Sequence, residues 1–278
     1  MVIPIVIYGI TVISWLQLWT QPLWIVLQLL PFIFIGWQGI APAEGWSSFS
    51  GRLGSPDGSV DLVLFGAASA VVFSLIAQIG EQVDYLRFMP KQQQANHWRW
   101  WLSILCAGPG WIVLGALKML AGSLLIVITL AGTMPAEMAS DPTDPTQLYL
   151  TAFSLFASPE VAIALTGIFV ITCQIKINVT NSYAGSIAWS NFFSRLTHSH
   201  PGRVVWLVFN VVIALFLMEL GIFKALESTL GLYSIIAVAW IGAIVADLVI
   251  NKPLGLSPPH IEFRRAYLCD ISPVGLGS

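Results

Sequence analysis

Charge is what this chain has least of. Only 9% of its 278 residues are Asp, Glu, Lys or Arg, against roughly 25% in a typical soluble domain, while 56% are hydrophobic and the mean hydropathy is +0.80. That balance excludes an ordinary soluble fold and predicts a multispanning membrane protein. Cysteine is scarce too: Cys106, Cys173 and Cys269 have no paired spacing, which argues against a disulfide framework or a zinc site. A net charge of −2 with no basic or acidic tail argues against a dedicated nucleic-acid binder. Short-period repeats, heptads and low-complexity tracts are missing. So are a Walker loop, His-Glu-x-x-His, Gly-x-Ser-x-Gly and a dinucleotide fingerprint, so no enzyme activity or cofactor is expected. The four histidines fall outside the apolar runs (His97, His198 and His200 in connections, His260 in the tail), and no metal site is expected from them.

What is present is a series of long apolar runs. A bilayer core takes about 20 apolar residues per tilted helix, and that ruler predicts seven spans: 2–17, 22–39, 60–83, 101–131, 161–189, 204–226 and 230–250. The first two are separated only by Leu18-Trp19-Thr20-Gln21, so one long broken helix is the alternative. Fold class is therefore all-α, a polytopic helix bundle forming a single transmembrane domain over 1–278. Most tryptophans sit near span ends, as interfacial anchors do.

Lys and Arg orient the spans. Arg87, Lys91 and Arg99 follow the third run, Arg195 and Arg203 the fifth, and Lys252, Arg264 and Arg265 the seventh. Those segments, including the tail 251–278, are expected inside the cytoplasmic membrane. Loops 40–59 and 132–160 are expected outside, the second with four acids and no basic residue. Within it, residues 148–157 are too short to span and predict a short helix or re-entrant piece, either a lid or a cap on the bundle. Seven spans with the C-terminus inside place the N-terminus outside. A chain that opens directly into apolar sequence is then expected to be part of a longer protein.

Lys176 is the strongest functional signal. It lies mid-span in the polar stretch Gln174-Ile175-Lys176-Ile177-Asn178-Val179-Thr180-Asn181-Ser182-Tyr183-Ala184-Gly185, and an ammonium at that depth needs a partner or a wet cavity. On a helix, Gln174, Asn178, Asn181 and Gly185 form one stripe, and Lys176 with Thr180 an adjacent pair. Two readings compete, interhelical glue and the wall of a solute cavity, and the charge favours the cavity. The third run ends Gln78-Ile79-Gly80-Glu81-Gln82-Val83-Asp84-Tyr85-Leu86-Arg87, where Gly80 permits a helix break of the kind transporters use. Asp61, Lys118, Glu219 and Asp247 are the other charges in or at the edge of spans, and none has a partner recognisable in the sequence.

Two of these motifs carry a resemblance. Asp84-Tyr85-Leu86-Arg87-Phe88 resembles the Asp-aromatic-x-Arg-aromatic motif after the sixth span of the purine-cytosine permease, or nucleobase:cation symporter-1, family. Asn181-Ser182-Tyr183-Ala184-Gly185 resembles the Asn-Ser-x-x-Ala-Gly segment of its eighth span. The resemblance implies that the seven runs correspond to family spans four to ten of a twelve-span, five-plus-five inverted-repeat fold. It implies alternating access in a lipid bilayer and a nucleobase-like small-molecule substrate. Asn181 takes the place of the substrate asparagine, with Asn178, Gln174 and Gln78 beside it and Phe73 as the nearest aromatic to the family's stacking tryptophan. Ile175 and Lys176 stand where sodium-using members carry hydroxyls, so Lys176, with Thr180, is expected to replace the cation, either as a fixed charge or as a proton-coupled switch. The chain then lacks N-terminal and C-terminal spans of the whole protein. The alternative reading is a sensor or receptor module that keeps the permease fold without translocating.

Overall fold

The computed structural model describes residues 2–38, 43–49, 59–74, 76, 79–108, 110–130, 144–220 and 223–260. All regular structure among them is helical: α1 (Val2–Ile7), α2 (Ile10–Gln38), α3 (Ala43–Trp46), α4 (Leu62–Ser74), α5 (Ile79–Leu86), α6 (His97–Ala107), α7 (Gly110–Leu130), α8 (Pro145–Ser154), α9 (Pro159–Thr197), α10 (Arg203–Glu219) and α11 (Phe223–Ala246), the last continued by a π-helical turn, Asp247–Asn251. Among the described residues, four stretches are long and apolar enough to cross a membrane: Ile10–Trp37, Gln94–Leu130, Pro159–Thr197 and Gly231–Asn251.

The start of the chain differs from expectation. Residues 18–21 do not turn; they lie inside α2, which runs unbroken for 29 residues despite Pro22 and Pro31. At 1.5 Å per residue that is about 43 Å, enough for one crossing. The interruption falls earlier, at Gly9, whose φ of +85° is a left-handed conformation that glycine adopts without a Cβ penalty. Arg203 of α10 donates through Nη2 to the carbonyls of Val6 and Ile7, each at 3.2 Å, and so caps the end of α1.

The chain divides into two compact units. In the first (Met1–Gly51 and Phe88–Phe216), α9 is the central post, with α1, α2 and α8 packed along it. At 39 residues α9 is about 58 Å long, nearly twice the hydrocarbon core. Ser158 and Pro159 open it and His198, at φ 56°, closes it. The short helix expected in the second loop is α8, started by Pro145 and by Asp144, whose carboxylate accepts from Thr146 N at 2.8 Å. It is wedged rather than laid on top. Leu148 and Ala152 join Ile35, Leu125 and Ile128, while Phe153 joins Leu27, Ala162 and Phe169. A cap anchored by two buried clusters fits this packing better than a lid.

At the other end of α9, Trp189 donates to Asn210 Oδ1 at 3.0 Å, and Phe193 stacks on Trp206 at 4.5 Å, tying α9 to α10. Gly185 makes room for this, because a Cβ there would meet three side-chain atoms of Asn210 at 3.0–3.1 Å.

The second unit (Arg52–Arg87 and Leu217–Ser278) pairs α4 with α11. Asp61, expected only at a span edge, caps α4 by accepting from Val63 N and Leu64 N. Gly80 is the second residue of α5, and α4 ends at Ser74, so the run 60–83 holds two helices rather than one; Gly80 also admits Trp240, whose ring lies 3.1 Å from where a Cβ would stand. Asp247 pairs with Lys252 at 3.5 Å. The π-turn makes this possible, since its i to i+5 bond from Lys252 N to Asp247 O stacks the two residues.

Candidate functional site

The functional candidates in the first unit lie along α2 and α9. On α9 the buried face is Ala162, Thr166, Phe169, Thr172, Val179, Tyr183 and Ser186, residues that recur at helical spacing against α1, α2 and α8. Lys176 and Thr180 are half-buried on this side. Gln174, Asn178 and Asn181 are exposed. The two adjacent groups of polar residues therefore face different surroundings.

Lys176 meets the residues that looked like a turn. Its Nζ donates to Gln17 O at 3.1 Å, Thr20 Oγ1 at 3.2 Å and Gln21 Oε1 at 3.0 Å. Gln17 Nε2 returns a bond to Lys176 O at 2.8 Å. An ammonium has three donors, and all three are used on neutral oxygens. Hydrogen bonds to a charged group contribute about 1.5–3 kcal/mol each, enough to offset the roughly 2.5–3.5 kcal/mol that insertion of a lysine at bilayer centre costs. Thr20 Oγ1, which accepts from Lys176, donates in turn to Leu16 O at 2.7 Å.

The same face of α2 continues past the lysine. Gln17, Gln21, Trp24 and Gln28 follow i, i+4, i+7, i+11, a line of about 16 Å at 1.5 Å per residue. Trp24 packs in the cluster that contains Cys173 and Tyr149. Lys118 of α7 places its Nζ 5.1 Å from the centre of the Trp24 ring. Gln28 Nε2 donates to the Tyr149 hydroxyl of α8, and burial pushes that hydroxyl above its ordinary pKa, keeping it neutral. A polar spine thus runs through the apolar unit, with Lys176 at one end, Tyr149 at the other and Lys118 beside its middle.

Sequence reasoning missed this line because its first reading divided α2 at residues 18–21, with one long broken helix only as the alternative. The readable signal was the complement itself, a polar quartet in one apolar run and a lone lysine in another.

The exposed stripe is less committed. Asn178 Nδ2 donates to Gln174 Oε1 at 3.3 Å, and Asn181 has no hydrogen-bond partner among the described residues. Thr180 turns its hydroxyl back onto Ile177 O at 2.8 Å and Lys176 O at 3.2 Å. The remaining expected site residues belong to the second unit: Phe73 is exposed near the end of α4, Asp84 is half-buried in the last turn of α5, and Arg87 follows that helix. Gln78 lies outside the described residues.

Lys118, read from the sequence as a structural charge that snorkels or pairs, stands ninth of 21 residues in α7. The Trp24 face returns about 0.5–2 kcal/mol of its insertion cost of roughly 3 kcal/mol. No carboxylate pairs with it among the described residues.

Comparison of the chain with models of known protein families, with curated proteins and with solved structures finds no match.

Proposed function

We propose that this chain is the membrane-embedded body of a permease-like protein for nucleobases or related heterocycles, with Lys176 standing where a coupling cation would bind. One observation carries the reading: α9 separates a fixed ammonium, held by three neutral oxygens, from an exposed line of amides at the same depth. A carbonyl, a hydroxyl and an amide oxygen are the ligands a hard monovalent cation takes, and here a covalently attached cation takes them. On the other side, Gln174, Asn178 and Asn181 offer donors and acceptors together, which matches the edge of a planar base. Uncommitted amides facing hydrocarbon are costly, so this face is assigned to a solute or a water-filled path.

We infer six crossings in place of seven, with α2 counted once. The start of α2 then shares the side of Arg195 and Arg203, because Arg203 caps α1. In the terms of the resemblance, the chain covers family spans five to ten, with α9 still as the eighth. Alternating access by rocking of inverted repeats and residence in the cytoplasmic membrane belong to the same proposal. A receptor that binds without translocating is the second reading. The reciprocal clamp between α2 and α9 favours it, since it ties the two helices rigidly together.

The test is direct binding of a panel of purines and pyrimidines to the purified chain in lipid nanodiscs. Asn181→Ala is expected to weaken binding at least tenfold, and Ile171→Ala, exposed on the same helix but apolar, to leave it unchanged. Absence of binding by every heterocycle in the panel removes the reading.

A further inference from the structure

The apolar run 101–131, expected to cross as one span, holds the end of α6 and all but the last residue of it that α7 reaches, Leu130. The whole stretch Gln94–Leu130 is 37 residues, about 55 Å of helix and nearly twice the hydrocarbon core. With 21 residues, or about 31 Å, α7 is long enough to cross by itself, so α6 is surplus to the crossing. The two helices are separated by a tight junction: Gly108 N donates to Ile104 O at 2.8 Å, and a Cβ on Gly110 would stand 2.6 Å from Leu105 O. Joined to the first turn of a crossing, α6 lies at the level of the membrane surface. No residue of α6 is buried, and it packs chiefly on α7 and on the turn Gln94–Asn96.

Trp98, Trp101, Leu102 and Leu105 follow i, i+3, i+4, i+7 and make one apolar stripe along α6, each 46–63% exposed. Ser103 stands across the helix from it, and Arg99 on its flank, the guanidinium 5.3 Å from the centre of the Trp98 ring. The preceding connection is folded onto the helix: Trp100 Nε1 donates to Pro90 O at 2.8 Å, and the Gln92 amide bonds the His97 ring. Lys91 is thereby held beside α6. Between residues 88 and 107 there is no Asp or Glu, while Lys91 and Arg99 are both exposed. A Trp and Leu face with basic residues beside it is the composition of a helix that lies in the headgroup layer. We propose that α6 is an interfacial helix that docks on anionic phospholipid, its stripe entering the acyl boundary while Lys91 and Arg99 take lipid phosphates. Charge of one sign at surface depth selects a lipid surface as the occupant, and each basic residue near an anionic surface favours docking about fivefold. The inference does not depend on the heterocycle reading.

The experiment places a nitroxide at Leu105→Cys or, separately, at Ser103→Cys in the whole chain after Cys106, Cys173 and Cys269 are replaced. Nanodiscs of phosphatidylcholine, with or without phosphatidylglycerol, hold the protein, and collisions of the label with oxygen, which concentrates in lipid, and with a water-soluble nickel chelate are measured. With phosphatidylglycerol present, the oxygen-to-nickel ratio at 105 should exceed that at 103 at least fivefold, and it should fall at least threefold in phosphatidylcholine alone. Lys91→Gln combined with Arg99→Gln should lower it in the same way. Lys91→Arg combined with Arg99→Lys keeps both charges, should leave the ratio as it was, and controls for folding. A ratio at 105 that ignores phosphatidylglycerol or survives the neutral pair overturns the proposal, as does a ratio equal to that at 103. Protection of residue 105 from both reagents also overturns it, because protein rather than lipid then covers the stripe.

Discussion

Gln17 and Lys176 hold each other through four groups: the Lys176 ammonium donates to the Gln17 carbonyl at 3.1 Å, and the Gln17 amide donates to the Lys176 carbonyl at 2.8 Å. Two residues 159 apart in the chain thereby fasten α2 to α9 at the depth where hydrocarbon offers neither of them a partner. In a bilayer, apolar burial does little to drive helices together, so this clamp, rather than the leucines around it, sets the register of the pair.

The clamp predicts a coupling between Lys176 and Gln21. Gln21→Leu leaves the ammonium one acceptor short and should destabilise the protein by about 1–2 kcal/mol. In a Lys176→Met background the same change should cost markedly less. Denaturant or thermal unfolding of the four proteins in bicelles measures the cycle, and additive effects would show that the contacts carry no energy.

A single α2 fixes the sidedness of its two ends. Tyr8→Cys and Ser48→Cys, introduced separately after Cys106, Cys173 and Cys269 are replaced, should label from opposite faces of the membrane. Two spans over residues 2–39 would instead place residue 8 inside the first of them, so a thiol there that fails to label, or that labels from the same face as residue 48, contradicts the one-helix account.

At the start of the chain, Gly9→Ala forces an L side chain into a φ of +85° and should cost about 1–2 kcal/mol. Arg203→Gln, which removes the cap on α1, should speed hydrogen exchange of residues 2–9 without affecting the middle of α9. Protection of residues 2–9 equal to wild type in both variants would mean that neither feature holds α1.

Two glycines of α9 should respond with opposite sign. Gly185→Ala drives a Cβ into Asn210, disturbing the Trp189 bond, with an expected loss of about 1–3 kcal/mol. Gly167→Ala meets nothing within 4 Å and should gain about 0.5–1 kcal/mol. The melting temperatures of the two variants check the sign of each.

Composition and run length made the helical membrane class legible, and α9 and α8 appeared where apolar length and the Asp-Pro turn residues put them. The boundary inside 2–39 was misplaced for a physical reason. Leu18-Trp19-Thr20-Gln21 is polar enough to be a loop in water, and only the position of Lys176, 155 residues beyond Gln21, shows that the polarity is answered inside the protein. The same limit hid the partner of Asp247: an α-helix brings residues three and four apart together, whereas Lys252 is five away and reaches it through a π-turn. Gly80 was noticed for its backbone freedom; what required the fold is that the absence of a side chain there lets Trp240 approach. Lys176 itself was legible because its depth can be counted in residues; the identity of its acceptors required the fold.

The most direct test of the proposal that Lys176 takes the place of a cation is the sodium dependence of solute binding, measured in sodium against N-methylglucamine at constant chloride. Wild-type binding should be the same in both salts, and Lys176→Thr, which restores a hydroxyl and vacates the three oxygens, should bind only in sodium or not at all. Wild-type binding that rises with sodium, unchanged in Lys176→Thr, would contradict it.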